Sequence, residues 1–247
     1  MSSFTRTLLL ASSMLLVPAS SLLAQTAGDP SGHWTGAIHV PPFNGAGARE
    51  VAIDVDLAKS PQGELAGTFS QPAQKLKGLP LSNVAVEGPS VSFELKATDG
   101  GGLFRGTLAD GASMSGEFTT SQGGYTIPFN LTRTGDAQIA AAPRSAPIGK
   151  ELEGTWNGTL GVAGKRERLV LKMANQPDGT SAGTILDLDG SNVEIPIAMT
   201  QKASNVTVDI ATVGGSYAAV LSASHELVGT WTQGSIALPL TFTRAAK

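Results

Sequence analysis

Two tandem antiparallel up-and-down barrels of eight strands each, all-β throughout, are what this 247-residue sequence predicts. Three observations carry the prediction. A pentapeptide occurs twice, as Gly32-His33-Trp34-Thr35-Gly36 and Gly154-Thr155-Trp156-Asn157-Gly158. The same landmarks follow each copy in the same order. Between landmarks run short segments of alternating polarity, separated by Gly, Asp, Asn and Pro, as strands and turns require.

Taken from the start, residues 1–24 read as a secretory signal peptide. Arg6 supplies the positive charge, Leu8 to Val17 the apolar stretch, and small residues lead to a cut between Ala24 and Gln25. That stretch is too short for a bilayer, which takes about 20 residues. The expected location is therefore periplasmic or secreted, with no membrane span. Losing Arg6 moves the formal net charge from −3 to −4. A mildly acidic chain with scattered charge offers no footprint for nucleic acid. There is no cysteine, which excludes disulfides, thiolate nucleophiles and Cys-ligated metals. Apolar cores alone must hold the fold, and two units of about 100 residues are large enough to build them.

The first unit spans 29–134 and the second 151–247, with an Ala/Pro linker at 135–150 between them. Leu79-Pro80-Leu81 matches Ile195-Pro196-Ile197, and Ser115-Gly116-Glu117-Phe118 matches Val228-Gly229-Thr230-Trp231. The closing segments are Ile127-Pro128-Phe129-Asn130-Leu131-Thr132-Arg133 and Leu238-Pro239-Leu240-Thr241-Phe242-Thr243-Arg244. So many landmarks in order identify a duplication. The second copy divides into segments at 153–160, 167–175, 181–188, 193–200, 205–212, 215–222, 226–232 and 236–244; the first divides likewise, from 32–40 to 125–134. Sequential strands with short connections form a meander, and a meander of this length protects its edges by closing on itself. A two-sheet sandwich is the rival. The linker has no apolar period and is semi-stiff where Pro occurs, so few contacts between the barrels are expected.

Parity along the strands adds detail. Trp156 shares a face with Gly154, Gly158 and Leu160, and Arg244 ends the face of Leu238, Leu240 and Phe242. Trp34 and Arg133 repeat the pattern. In a closed meander the first and last strands are neighbours, which places each guanidinium across an indole. Arg133 and Arg244 are thus the expected closures, each contact worth about 0.5–2 kcal/mol.

A Gly-x-Trp on the first strand with a basic residue on the last resembles the calycin group, which includes lipocalins, fatty-acid-binding proteins and avidins. On that resemblance the barrel interior would hold a small apolar ligand, against Trp34, Phe104, Trp156, Tyr217 and Trp231. A second resemblance covers nearly the whole mature chain. Gly154-Thr155-Trp156-Asn157-Gly158-Thr159-Leu160, Ile195-Pro196-Ile197 and Gly229-Thr230-Trp231-Thr232-Gln233-Gly234, with Pro239-Leu240 and Arg244, look like the small β-domain preceding the catalytic domain of exported bacterial α/β-hydrolases. The first copy departs from it, with Phe118 and Thr119 in place of Trp231 and Thr232. That resemblance implies a non-catalytic accessory domain. The hydrolase domain itself is missing from the sequence, which stops just past the second repeat.

Residues able to do chemistry are few. Gly111-Ala112-Ser113-Met114-Ser115-Gly116 is one residue too long for a nucleophile elbow and leads into a strand. His33 and His39 lie on the face opposite Trp34, about 20 Å apart at about 3.3 Å per residue, too far to share a metal. His225 belongs to a turn. Asp54 and Asp56 alternate with Val51, Ile53, Val55 and Leu57, and so point to solvent; Asp187 and Asp189 flank a turn at Gly190. The aromatic residues have core as their plain reading, and barrels this short are expected to be filled by their own side chains. No enzyme activity, metal or cofactor is expected. The expected function is an accessory or interaction module with an unknown protein partner, the alternative a carrier of a small apolar ligand, and a hydrolase is the disfavoured third.

Overall fold

A computed structural model describes residues 28–42, 46–60, 62–96, 101–122, 124–190 and 192–245; the stretch 1–24, expected to be a signal peptide, lies outside the described residues. The fold is all-β. In the second copy β10 (Gly154–Val162), β11 (Lys165–Asn175), β12 (Ser181–Asp187), β13 (Glu194–Lys202), β14 (Asn205–Ile210), β15 (Gly215–Leu221), β16 (Glu226–Gln233) and β17 (Ile236–Arg244) close into a barrel in sequence order. The alternation on β11 sets its faces as expected: Leu169, Leu171 and Met173 are buried while Arg168 and Lys172 are exposed.

The first copy has nine strands where eight were expected. They are β1 (Gly32–Val40), β2 (Arg49–Lys59), β3 (Leu65–Gln71), β4 (Leu76–Pro80), β5 (Ser82–Glu87), β6 (Ser90–Leu95), β7 (Gly102–Ala109), β8 (Ser113–Thr120) and β9 (Thr126–Gly135). The sheet runs β4-β3-β2-β1-β9-β8-β7-β6-β5, nearly closed, with its gap between β4 and β5. The reason lies in one strand. In the second copy β13 is continuous: its first half pairs with β12 and its second half with β14. The matching run in the first copy breaks at Leu81, and Asn83 two residues on has φ 50°. That left-handed conformation ends an extended run and suits Asn better than most side chains. β4 stays with β3 and β5 with β6.

Elsewhere the two copies keep one register. Thr68 faces Pro80 as Thr184 faces Pro196, and Glu117 faces Pro128 as Thr230 faces Pro239. Gly116 and Gly229 hold equivalent places; a Cβ there would stand 2.0 Å from the Arg105 carbonyl oxygen and 2.1 Å from that of Ala218. The repeated glycine lets adjacent strands cross tightly inside the barrel.

Two expectations about the surface are corrected. Asp56 is buried, because the chain leaving β9 crosses that outer face. The Gln138 N–H donates to Asp56 Oδ1 at 2.7 Å, and His33 Nδ1 lies 2.8 Å from the same oxygen. Nor are the barrels nearly free of each other: the broken end of the first sheet, β4, packs on the 3-10 turn Ala211–Val213 and on β13. The linker is pinned as well. Ser145 and Ser181 exchange both backbone hydrogen bonds at 2.9 Å, and the Ile148 and Gly149 N–H groups donate to Asn175 and Gln201 side chains at 2.9 and 2.6 Å. Ile148 and Leu152 bury against the second barrel. Ile148, an apolar side chain hidden in the nominal linker, and Leu152 just past it explain the difference: they gain more by burial than a free tether would.

Candidate binding site

Each barrel is shut at one end by the repeated pentapeptide. Trp34 pairs across the seam with Arg133, and Trp156 with Arg244. The guanidinium carbons lie 4.9 and 4.7 Å from the indole centroids. Both indoles are fully buried and donate their Nε1–H four residues back, to Pro30 O at 2.8 Å and Leu152 O at 2.9 Å. The guanidinium groups then bond the same incoming segments, Arg133 to Asp29 O and Arg244 to Glu151 O and Glu153 O. Gly32 (φ 152°) and Gly154 (φ 118°) leave the space the arginines occupy, since a Cβ would meet Arg133 at 3.1 Å and Arg244 at 3.2 Å. The residue two positions after each indole is glycine, because the closing strand presses there too. At Gly36 a Cβ would stand 1.9 Å from Asn130 O, and at Gly158 2.8 Å from the Phe242 ring.

The interiors beyond these ends are packed with side chains. Phe104 stacks on Phe93 at 4.8 Å between centroids, with Phe118 at 4.4 Å and Phe129 at 5.3 Å. In the second barrel the Tyr217 ring meets Phe242 edge-on at 5.3 Å. Its hydroxyl lies against two backbone carbonyl oxygens, Leu227 O at 2.7 Å and Leu240 O at 3.1 Å. Burial pushes that phenol well above its usual range. Trp34, Phe104, Trp156 and Tyr217, four of the five candidate ligand-binding residues, are buried among other core side chains and line neither the mouth nor the seam cleft described below.

Trp231 is different. It lies at the unclosed end of the second barrel, where Leu160, Val162, Ile236 and Leu238 form an apolar mouth. The roof comes from the other repeat: Leu76 and Leu79 of β4 line its edge, leaving a half-open cavity of about 410 Å³. Three polar side chains share the lining, all on inward-facing strand positions. Glu167 follows the parity of Leu169, Asp187 that of Ile185, and Gln233 that of Trp231. Asp187 Oδ1 accepts the N–H groups of Asp189 at 3.1 Å and Gly190 at 2.9 Å, tying the carboxylate to its turn. Gln233 Nε2 donates to Val213 O at 2.9 Å. Sequence reasoning named Trp231 but missed the mouth. Nothing local in Leu76 or Leu79 says that they serve another domain.

A larger cleft, about 700 Å³, lies on the outer surface of the second barrel along the β10–β17 seam. There the pairing covers only Trp156 to Gly158, whereas β1 and β9 pair as far as Ile38 with Phe129. Its lining is mixed, with Asn157, Thr159, Arg168 and Thr241 beside Leu169, Val170, Leu188 and Leu240, and is less apolar than that of the mouth.

The groups considered for catalysis are dispersed. Ser113 Oγ lies 3.3 Å from both Ala109 O and Asp110 Oδ1, at the start of β8. His39 Nδ1 lies 3.2 Å from Glu50, on the outer face of β1. Asp189 is held by Arg168 in a two-oxygen contact, and those hydrogen bonds bring its pKa down to about 2. Among the described residues no three His, Asp or Glu side chains gather as a metal site would need, and no helix is long and apolar enough to cross a membrane.

No family model matches the chain, and no curated protein does. Four solved chains are similar, among them the two that follow. One is a candidate outer membrane protein of Bacteroides fragilis, 12% identical, covering 86% of this chain and 95% of its own at a TM-score of 0.28. The other is a protein of unknown function from the DUF3598 family of Nostoc punctiforme, 13% identical, covering 87% and 96% at a TM-score of 0.25.

Proposed function

We propose that the protein is an exported, non-catalytic binding protein that carries a small apolar molecule in the mouth of its second barrel, beneath the roof strand of the first. The cavity of about 410 Å³ carries the reading: its lining is mostly aliphatic, and its volume falls in the range of small-molecule sites, about 300–1,000 Å³. The calycin resemblance of the Gly-x-Trp and Arg pairs supports it, with a shift of place from barrel interior to barrel mouth. The signal-like residues up to Ala24 support export to the periplasm or medium. Native mass spectrometry on residues 25–247 purified from the periplasm, before and after organic extraction, tests it. A stoichiometric mass lost on extraction, and absent from an Ile236→Trp variant, is the expected result. Ile236 is 49% exposed at the mouth, so the larger ring fills the cavity without entering the core. A bare mass in the unmodified protein, with no uptake of apolar probes after extraction, would overturn the reading.

A second reading, an accessory or interaction module with a protein partner, is favoured by the β10–β17 seam. Beyond Gly158 the facing strand edges are unpaired with each other, and such edges accept an added strand. The likeness to hydrolase-preceding domains suggests a hydrolase as partner. Pull-down with purified exported proteins tests this; a specific partner lost on charging the seam through Thr241→Lys would establish it in place of the carrier.

A further inference from the structure

The mouth and the outer cleft border one stretch of the β10–β17 seam, and this step rests on the carrier reading above. Pairing of the two strands ends at Gly158 with Phe242. Beyond that point Thr159 of β10 and Pro239 of β17 line the cleft, while the residues adjacent to them, Leu160 and Leu238, line the mouth. Leu169, a buried inward-facing residue of β11, lines both. The parted wall thus has the apolar mouth on one side and the mixed cleft on the other.

The two sides offer different chemistry. At the mouth, Glu167 and Asp187 both have partners within the protein, Asp187 in the backbone of its turn, so the open lining there is mainly aliphatic. In the cleft, Asn157, Thr159 and Thr241 bring an amide and two hydroxyls, which donate as well as accept hydrogen bonds. Arg168, the charged side chain of the cleft lining, is engaged by both carboxylate oxygens of Asp189 at 3.1 and 3.0 Å.

We infer that mouth and cleft are two halves of one site, and that its ligand is an elongated amphiphile: an apolar chain seated in the mouth, joined to an uncharged, hydroxyl-bearing head laid across the parted seam. Hydroxyl groups match the amide and hydroxyls of the cleft, since each side can give and take hydrogen bonds. An anionic head would gain from Arg168 only by displacing Asp189 from a two-oxygen contact. Volumes of about 410 Å³ for the mouth and about 700 Å³ for the cleft give chain and head room of their own.

The test uses residues 25–247 after organic extraction and three unbranched probes of one chain length: an alcohol, a monoacylglycerol and an alkyl phosphate. Each is kept below its micelle-forming concentration at neutral pH. Binding is read by calorimetry and by the emission of Trp231, which lines the mouth. The monoacylglycerol is expected to bind tighter than the alcohol by about fivefold or more, the yield of one net hydrogen bond, and the alkyl phosphate no tighter than the alcohol. The chain has no cysteine, so Thr241→Cys can be labelled at a single place with a bulky maleimide that fills the cleft. In the labelled variant the advantage of the monoacylglycerol collapses while the alcohol still binds, which shows the mouth intact. If labelling abolishes alcohol binding as well, the comparison in the unmodified protein decides alone. A monoacylglycerol bound no tighter than the alcohol, or an alkyl phosphate bound tighter than the monoacylglycerol, would overturn the inference and leave the carrier reading standing. So would a labelled variant that keeps the full advantage. Failure of all three probes in the unmodified protein would remove the carrier reading itself.

Discussion

Replacing Gly36 or Gly158 by Ala tests how the two seams are held. Neither residue has a positive φ, so Ala fits both backbones. By its effect on the unfolded chain alone it would stabilise each site by about 0.4–1 kcal/mol. Sterics reverse the sign, and unequally. At Gly36 the new methyl group would stand 1.9 Å from Asn130 O and 3.0 Å from the Leu131 Cα, both backbone atoms of a strand that pairs on beyond that point. Relief requires β1 and β9 to separate by about an ångström, which breaks ladder hydrogen bonds. Overpacking of this kind costs about 1–3 kcal/mol, and Gly36→Ala belongs at or above the upper end. At Gly158 the methyl group would meet the Phe242 ring at 2.8 Å and Thr241 O at 3.1 Å, at the last paired position of the seam, beyond which β17 is free to yield. About 1 kcal/mol or less is expected there. In urea, with a slope of about 2 kcal/mol per molar, the first variant lowers the midpoint of its barrel by about 1 M or more and the second by about half that or less. Circular dichroism follows both barrels, while Trp34 reports on the first and Trp156 and Trp231 on the second. Equal effects, or a larger one at Gly158, would refute the idea that the second seam is splayed and the first tight.

Trp156→Ala removes a fully buried indole and lowers stability by about 3–5 kcal/mol, measured by thermal unfolding, with its larger part in the second barrel. Tyr217→Phe leaves two buried carbonyl oxygens without the hydroxyl and lowers stability by about 1–3 kcal/mol at neutral pH. The phenol is raised in the folded state, so its contribution is intact below about pH 10, the unfolded value, and fades as pH rises above it. The variant's alkaline unfolding limb is correspondingly flatter, as pH-dependent melts will show. Asp189 has the opposite sign. Its pKa is depressed to about 2, so what its Arg168 contact contributes is present above about pH 4 and lost as pH falls toward 2. Asp189→Asn removes that part of the acid limb, which acid titration followed by circular dichroism would detect.

The second barrel could be read strand by strand from the sequence because its alternation is regular and most of its turns carry Gly, Asp or Asn. Each of its eight expected segments lies within two residues or so of a strand. The closing Arg–Trp geometry followed from parity and neighbourhood alone. The break in the first copy was harder to see. Its only local sign is Asn83, and Asn occurs in strands often enough to pass unnoticed. Asp56 was misplaced because strand parity knows two faces and nothing of a chain segment that later crosses the outer one. The mouth was out of reach for a related reason: its roof and walls come from residues more than eighty positions apart, and only the tertiary placement of β4 joins them.

The break at Leu81 also gives the duplication a direction. The first unit has a loose strand end that reaches forward onto its neighbour, whereas the second, with β13 continuous, has no such end to extend. One copy covers and the other is covered, so the two have ceased to be interchangeable parts. Exchanging their order would place an uncovered mouth at one end of the molecule and an idle lid at the other, even though every barrel seam remained intact.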